Sequence, residues 1–207
     1  ELVTATCSTH IVSVSHSLKE SYCGKGLAQR AKVKVLGPGS SHGVNTKHYD
    51  SSRWKSWAPE HPQLLEAVSS GRPVIGFVGR LSIDKGLTSL IVTRKLLYER
   101  ENDHEFVVIG PFEAEPRAIA ELDAYGRAAI LLGEVKDPAP YYSIMDLLLL
   151  PSKREGFPNA VLEAAASGVA SITTTATGAR DSVVDAVTGV ITLADQDFQF
   201  ADAVSKA

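Results

Sequence analysis

Residues 154–170, REGFPNAVLEAAASGVA, follow the apolar run MDLLLLP at 145–151 after only Ser152 and Lys153. The order reads as a strand, a loop carrying one acid and a helix carrying another. LLLLP is apolar throughout rather than alternating, which marks a strand buried on both faces. Pro158 and Asn159 suit the start of a helix that runs through NAVLEAAASG and ends near Gly168. The first turn of such a helix leaves backbone N–H groups without partners, and these form an anion site beyond the strand. Glu163 lies little more than one turn into the helix, with its side chain leaning back toward the N-terminus. Glu155 stays in the loop at the strand's exit.

The same rhythm recurs on both sides. PVIGFVG (73–79), EFVVIG (105–110), AAILLG (128–133), VASITTT (169–175) and GVITL (189–193) read as strands, and helical stretches lie between them in KGLTSLIVTRKLLYERE, EAEPRAIAELDAYG and PAPYYSIMD. Apolar strands alternating with helices give an α/β doubly wound parallel sheet, Rossmann-like in character. Before residue 50 the organisation differs. HIVSVS (10–15) and KVKVLGPGSSHGVN (32–45) flank a polar, helix-like segment, and the latter ends in a loop rich in glycine and serine. Residues 51–70 read as a linker containing the short helix PQLLEAV, and 71–207 as the main domain.

Composition narrows the function classes. The 207 residues are 44% hydrophobic and 22% charged, as a globular chain with a real core requires. A net charge of -3 gives no global attraction to nucleic acid or anionic lipid. No apolar run approaches the roughly 20 residues that span a bilayer. The chain starts at Glu1 without methionine or a signal-peptide pattern, which leads to the expectation that something upstream is missing. Cys7 and Cys23 form no C-x-x-C pair and are expected as free thiols in a reducing, cytoplasmic setting. The six histidines form no zinc motif, so no metal site is expected.

In a doubly wound sheet, ligands bind beyond the carboxyl ends of the strands. The loop FVGRLSIDKGLTSL sets Arg80 and Lys85 between a strand and a helix, where two cations can grip a phosphate or diphosphate; the bland alternative is that both are solvated. It lacks both G-x-G-x-x-G and the P-loop pattern, which argues against nicotinamide and ATP sites of those types. For Glu163 the bland reading is a helix-dipole partner, stabilising by roughly 0.3 to 1 kcal/mol. For Glu155 it is a solvated loop acid, and a glycosidase-type acid and base pair is a further reading. In TTTATGARDSVVDAVTG, Arg180 and Asp181 are expected to pair with each other on the surface, without a chemical role.

Taken together, FVGRLSIDKG, YYSIMDLLLLPSKREGFPNAVLEAAASGVASITT and DAVTGVIT, in this order and spacing, resemble the donor-binding half of the group 1 glycosyltransferases of the GT-B fold. Their motif of two glutamates separated by seven residues is matched by Glu155 and Glu163. Upstream, residues 1–50 resemble the edge of the acceptor-binding domain; Asn45 replaces the commoner aspartate of that segment, in the manner of members that build capsule, exopolysaccharide or lipopolysaccharide.

The resemblance implies a retaining hexosyltransferase that uses a nucleotide diphosphate sugar as donor and, with a missing N-terminal domain, a glycan or lipid-linked acceptor. It makes Arg80 and Lys85 the diphosphate clamp, and sets Glu155 at the transferred sugar as the catalytic candidate and Glu163 at the ribose. Backbone groups of Gly156, Phe157, Pro158, Asn159, Ala160 and Val161 would line the pocket, and Val135 would lie beside the base. No metal or other cofactor is implied, and nucleic acid is not a partner. The full-length enzyme is expected in the cytoplasm, with room for peripheral association at the cytoplasmic face of the membrane. The fragment alone is expected to be inactive. A non-catalytic nucleotide-sugar-binding module and a sugar-nucleotide epimerase of the same fold are the alternatives.

Overall fold

The computed structural model describes residues 2–40 and 42–207. Glu1 lies outside the described residues, as does Ser41 of the expected loop GPGSSHGVN. In chain order the first part holds α1 (Leu2–Cys7), β1 (Ile11–Ser13), α2 (His16–Gly24) and β2 (Val33–Val35), followed by α3 (Pro62–Ser69). The second part runs β3 (Val74–Val78), α4 (Leu87–Glu99), β4 (Glu105–Ile109), α5 (Pro116–Leu122), β5 (Ile130–Gly133), α6 (Ala139–Tyr142) and β6 (Leu147–Leu150). It closes with α7 (Asn159–Ala166), β7 (Ala170–Thr174), β8 (Gly189–Thr192) and α8 (Asp197–Lys206). The sequence reading names no element for α1 or α8.

Strands β1 and β2 pair in parallel as a small separate sheet. The other six strands form one sheet in the order β5-β4-β3-β6-β7-β8, and every pairing is parallel. Chain order therefore runs outward from β3 in one direction and then restarts at β6 on its other side. That reversal is the switch point of a doubly wound sheet, where ligands bind.

Continuous apolar strands follow from burial on both faces. Along β4, Val107 and Ile109 enter one core while Phe106 and Val108 enter the other, and along β6 Leu148 and Leu150 are opposed by Leu149 in the same way. Leu64 of α3, Tyr142 of α6 and Val161 of α7 close the first face; Leu90 and Leu97 of α4, Leu122 of α5 and Phe200 of α8 close the second. The edge strands β5 and β8 are only partly covered, with Val190 of β8 exposed.

A buried arginine ties α4 to the segment before β5. Arg94 donates from Nε to the Leu122 carbonyl at 3.0 Å and from Nη2 to the carbonyls of Tyr125, at 2.5 Å, and Arg127. Its guanidinium lies 5.2 Å from the centre of the Phe106 ring. Burial lowers its pKa, and the surrounding carbonyls supply the hydrogen bonds that an interior cation needs.

Candidate functional site

The loops leaving β3 and β6 emerge side by side at the switch point, and backbone contacts join them. Gly86, with φ +89°, lies so close to the β6 exit that a β-carbon on it would fall 2.3 Å from the Pro151 carbonyl oxygen. The Lys153 N–H donates to the Asp84 carbonyl at 3.0 Å. Lys85 and Glu155 are thereby brought together, and Lys85 Nζ donates to Glu155 Oε1 at 2.6 Å. Ser152 Oγ donates to the same oxygen at 2.7 Å. Both charged side chains are largely buried, at 20% and 10% exposure, so this pair is less screened than a surface one. Arg80 is half exposed and lies 2.7 Å from Glu113 and 3.6 Å from Asp84. Each cation of the expected clamp thus faces a carboxylate.

Helix α7 begins with Pro158 as its N-cap and has no side-chain cap, which leaves the N–H groups of Asn159, Ala160 and Val161 without helical partners. Pro158, Asn159 and Ala160 line a hollow of about 250 Å³ together with Arg80, Lys85 and Glu155. The other expected site residues are spread around it. Gly156 opens onto a larger cavity of about 670 Å³ between the β3 and β6 loops and the β1–α2 segment. Phe157 packs against Gly39, and the Val161 side chain belongs to the core. Asn159 Nδ2 lies 3.1 Å from His42 Nε2. Val135 lines a separate hollow of about 580 Å³ beside Trp57 and Tyr141.

Glu163 is half-buried and accepts a hydrogen bond from the Tyr142 hydroxyl at 2.9 Å. Burial first, and then the Glu163 charge, raise the pKa of both Tyr142 and Tyr49, so both phenols remain protonated beside an acceptor. Hydrogen bonding from Ser82 holds Asp84 below its ordinary value, with Arg80 adding to the effect.

The loop after β7 corrects one expectation. Arg180 and Asp181 do not pair with each other; both reach the segment that precedes the linker. Asp181 accepts from the Ser17 N–H at 3.3 Å and from its hydroxyl, at the start of α2, and Arg180 Nη2 lies 3.1 Å from Glu20. Beside them the Gly178 N–H donates to Ser17 Oγ at 2.7 Å, and the Glu155 N–H donates to the Thr177 carbonyl at 2.8 Å. A side chain at Gly178, where φ is +76°, would meet the Gly156 and Glu155 carbonyl oxygens at 2.3 and 2.5 Å. This turn therefore sets the backbone that carries Glu155 and docks α2 as well. Sequence reasoning assigns this loop no such role, and it missed Ser152, Tyr49 and Tyr142. Only Ser152 has a local signal, a serine three residues ahead of a glutamate.

Partly buried cations, uncapped N–H groups and two hydroxyl-accepting carboxylates can together hold a phosphorylated, hydroxyl-rich ligand. Residues 72–207 match the family described as glycosyl transferases group 1. The capsular polysaccharide biosynthesis glycosyltransferase CapM of Staphylococcus aureus is 35% identical over 195 residues, covering 92% of this chain and 50% of that protein. A GDP-mannose-dependent alpha-mannosyltransferase of Mycolicibacterium smegmatis is 32% identical over 139 residues, covering 66% of this chain and 32% of its own length. The chain thus spans half or less of the length of these relatives. Among solved structures, Anabaena HepE in complex with UDP and glucose superposes with a TM-score of 0.77 at 19% identity, covering 99% of this chain and 55% of HepE.

Proposed function

The chain belongs to the group 1 glycosyltransferases, with the donor-half architecture of the GT-B fold, and from that premise we propose that it holds the nucleoside diphosphate sugar from which a hexose passes, with retention, to a glycan or lipid-linked acceptor. Residues 71–207 are then the donor domain, 51–70 the linker and 1–50 the edge of the acceptor-binding domain. The observation that carries this reading is the meeting of Arg80, Lys85, Glu155 and the uncapped start of α7 in one hollow at the switch point of the sheet.

In this reading Arg80, Lys85 and the first N–H groups of α7 bind the diphosphate. Glu155 accepts hydrogen bonds from the sugar hydroxyls, Glu163 from the ribose, and Val135 lies beside the base. As the anomeric C–O bond breaks, its electron pair passes to the departing phosphate oxygen, and cations and dipoles already aimed there stabilise the new charge. The Lys85–Glu155 pair gives the entry step its logic. An arriving phosphate draws Lys85 away from Glu155, and the released carboxylate turns to the sugar hydroxyls, so the ammonium keeps a charge partner and the carboxylate keeps hydrogen bonds. Acceptor positioning falls to residues beyond this chain, and polysaccharide biosynthesis, which the name of CapM gives as capsular, is the proposed context.

Calorimetry and thermal shift with UDP, GDP, ADP and their hexose conjugates test the reading. At least one diphosphate should bind and raise the melting temperature by mass action, without transfer to any acceptor. Binding of none of them would refute it.

A further inference from the structure

Glu163 is held from behind. Tyr142 is fully buried on the short helix α6, where phenylalanine would fill the same space, and its hydroxyl is directed at Glu163 Oε2, 2.9 Å away. Buried phenols need such a partner, and this one found a carboxylate. Tyr49 comes from outside the family-matched residues and stands edge-on to Tyr142, with ring centres 5.8 Å apart. Its backbone carbonyl is pinned by Ser167 Oγ, at the far end of α7, at 2.7 Å, and the Glu163 charge is among the causes that raise the pKa of its phenol. The segment before α3 thus reaches back onto the helix that carries Glu163.

We propose that Tyr142, supported by Tyr49, is a positioning residue that fixes the Glu163 carboxylate to accept both ribose hydroxyls, which makes the site selective for ribonucleoside over deoxyribonucleoside diphosphates. The proposal rests on the reading of Glu163 as the ribose acceptor. A carboxylate offers about four lone-pair directions. The phenol behind it occupies one and removes rotamer freedom, so the remaining oxygen surface is presented to the ligand in one orientation. Both tyrosines stay protonated, because burial and the adjacent negative charge oppose their ionisation.

The test compares UDP, GDP and ADP with their 2′,3′-dideoxy counterparts by calorimetry on the wild-type chain, Tyr142→Phe and Tyr49→Phe. The wild type should prefer the ribose form. Tyr142→Phe should narrow that preference by about three- to tenfold, the span of one net hydrogen bond, and leave affinity for the dideoxy ligand unchanged. Tyr49→Phe should narrow it less, and it carries the test alone should Tyr142→Phe fail to fold. An unchanged preference in the folded variants, or an equal loss for both ligands, would overturn the positioning role while leaving the ribose reading intact. A wild type that binds none of the three diphosphates, or binds ribose and dideoxy forms alike, would overturn the Glu163 reading and the proposal together.

Discussion

Replacing Lys85 by alanine removes a cation from the hollow and also leaves Glu155, only 10% exposed, without its counterion and facing any incoming phosphate. Loss of nucleoside diphosphate affinity should therefore reach about 1.5 to 3 kcal/mol, the range for charge-assisted contacts, while the bare nucleoside binds as before. Glu155→Ala should behave in the opposite sense toward the free diphosphate. It releases Lys85, so calorimetry should show binding at least as tight as wild type, whereas the extra affinity contributed by the hexose should disappear. A weaker affinity for both ligands would mean that Glu155 acts as a structural anchor for the loop. At this scale the sequence is informative wherever a residue's role depends on its own strand or helix. Glu155 follows a strand and Glu163 lies little more than a turn into a helix, and both facts can be read locally. The partners are less accessible, because Tyr49 reaches Tyr142 and the end of α7, and Thr177 reaches Glu155, across stretches of chain that no periodicity connects.

Among the elements, α2 depends on a distant group. Ser15 caps it from within, and Asp181, from the loop after β7, adds a carboxylate at the same end, where the helix dipole favours negative charge. Asp181→Ala should therefore loosen α2 and the β1–β2 sheet behind it, by about 1 to 3 kcal/mol if the buried Ser17 hydroxyl, which still accepts from the Gly178 N–H, is left with no acceptor for its proton. Hydrogen exchange should show faster exchange in α2 with α4 unaffected; uniform acceleration would mean that the contact supports the whole chain. The order of the larger sheet's elements is legible because its central strands are buried on both faces and so carry uniform apolar runs. The β1–β2 pair is legible as strands, but its dock is not. Arg180 and Asp181 look from sequence like a self-contained ion pair, and only the turn of the chain shows them facing α2.

For the molecule as a whole, acid should be felt through His104. This side chain is buried against Phe106, its Nδ1 lies 2.8 Å from the Asn102 carbonyl, and its Nε2 has no partner. Burial pushes its pKa below the ordinary 6.5, and Arg94 adds to the effect, while the Asn102 hydrogen bond and the charges of Asp103 and Glu105 oppose it. The unfolded chain then holds this proton more readily than the folded one, so His104 has no effect on stability above 6.5 and lowers it as pH falls below that value. Urea midpoints across this range should decline in the wild type and decline less in His104→Phe; parallel curves would assign acid sensitivity to other groups. The two cores and the switch point follow from sequence pattern, whereas the seam that closes the site does not. That seam has a consequence for how the chain tolerates change. Gly86 and Gly178 bring backbone against backbone at positive φ, where any β-carbon would strike a carbonyl oxygen, while the charged groups they enclose are joined only by side chains. A saturation library sorted for folding alone, with no ligand and no activity required, should therefore return almost no survivors at these two glycines and many at Lys85 and Glu155. Invariance at the glycines would then record the architecture of the chain, and only the charged positions would carry the imprint of selection for a substrate.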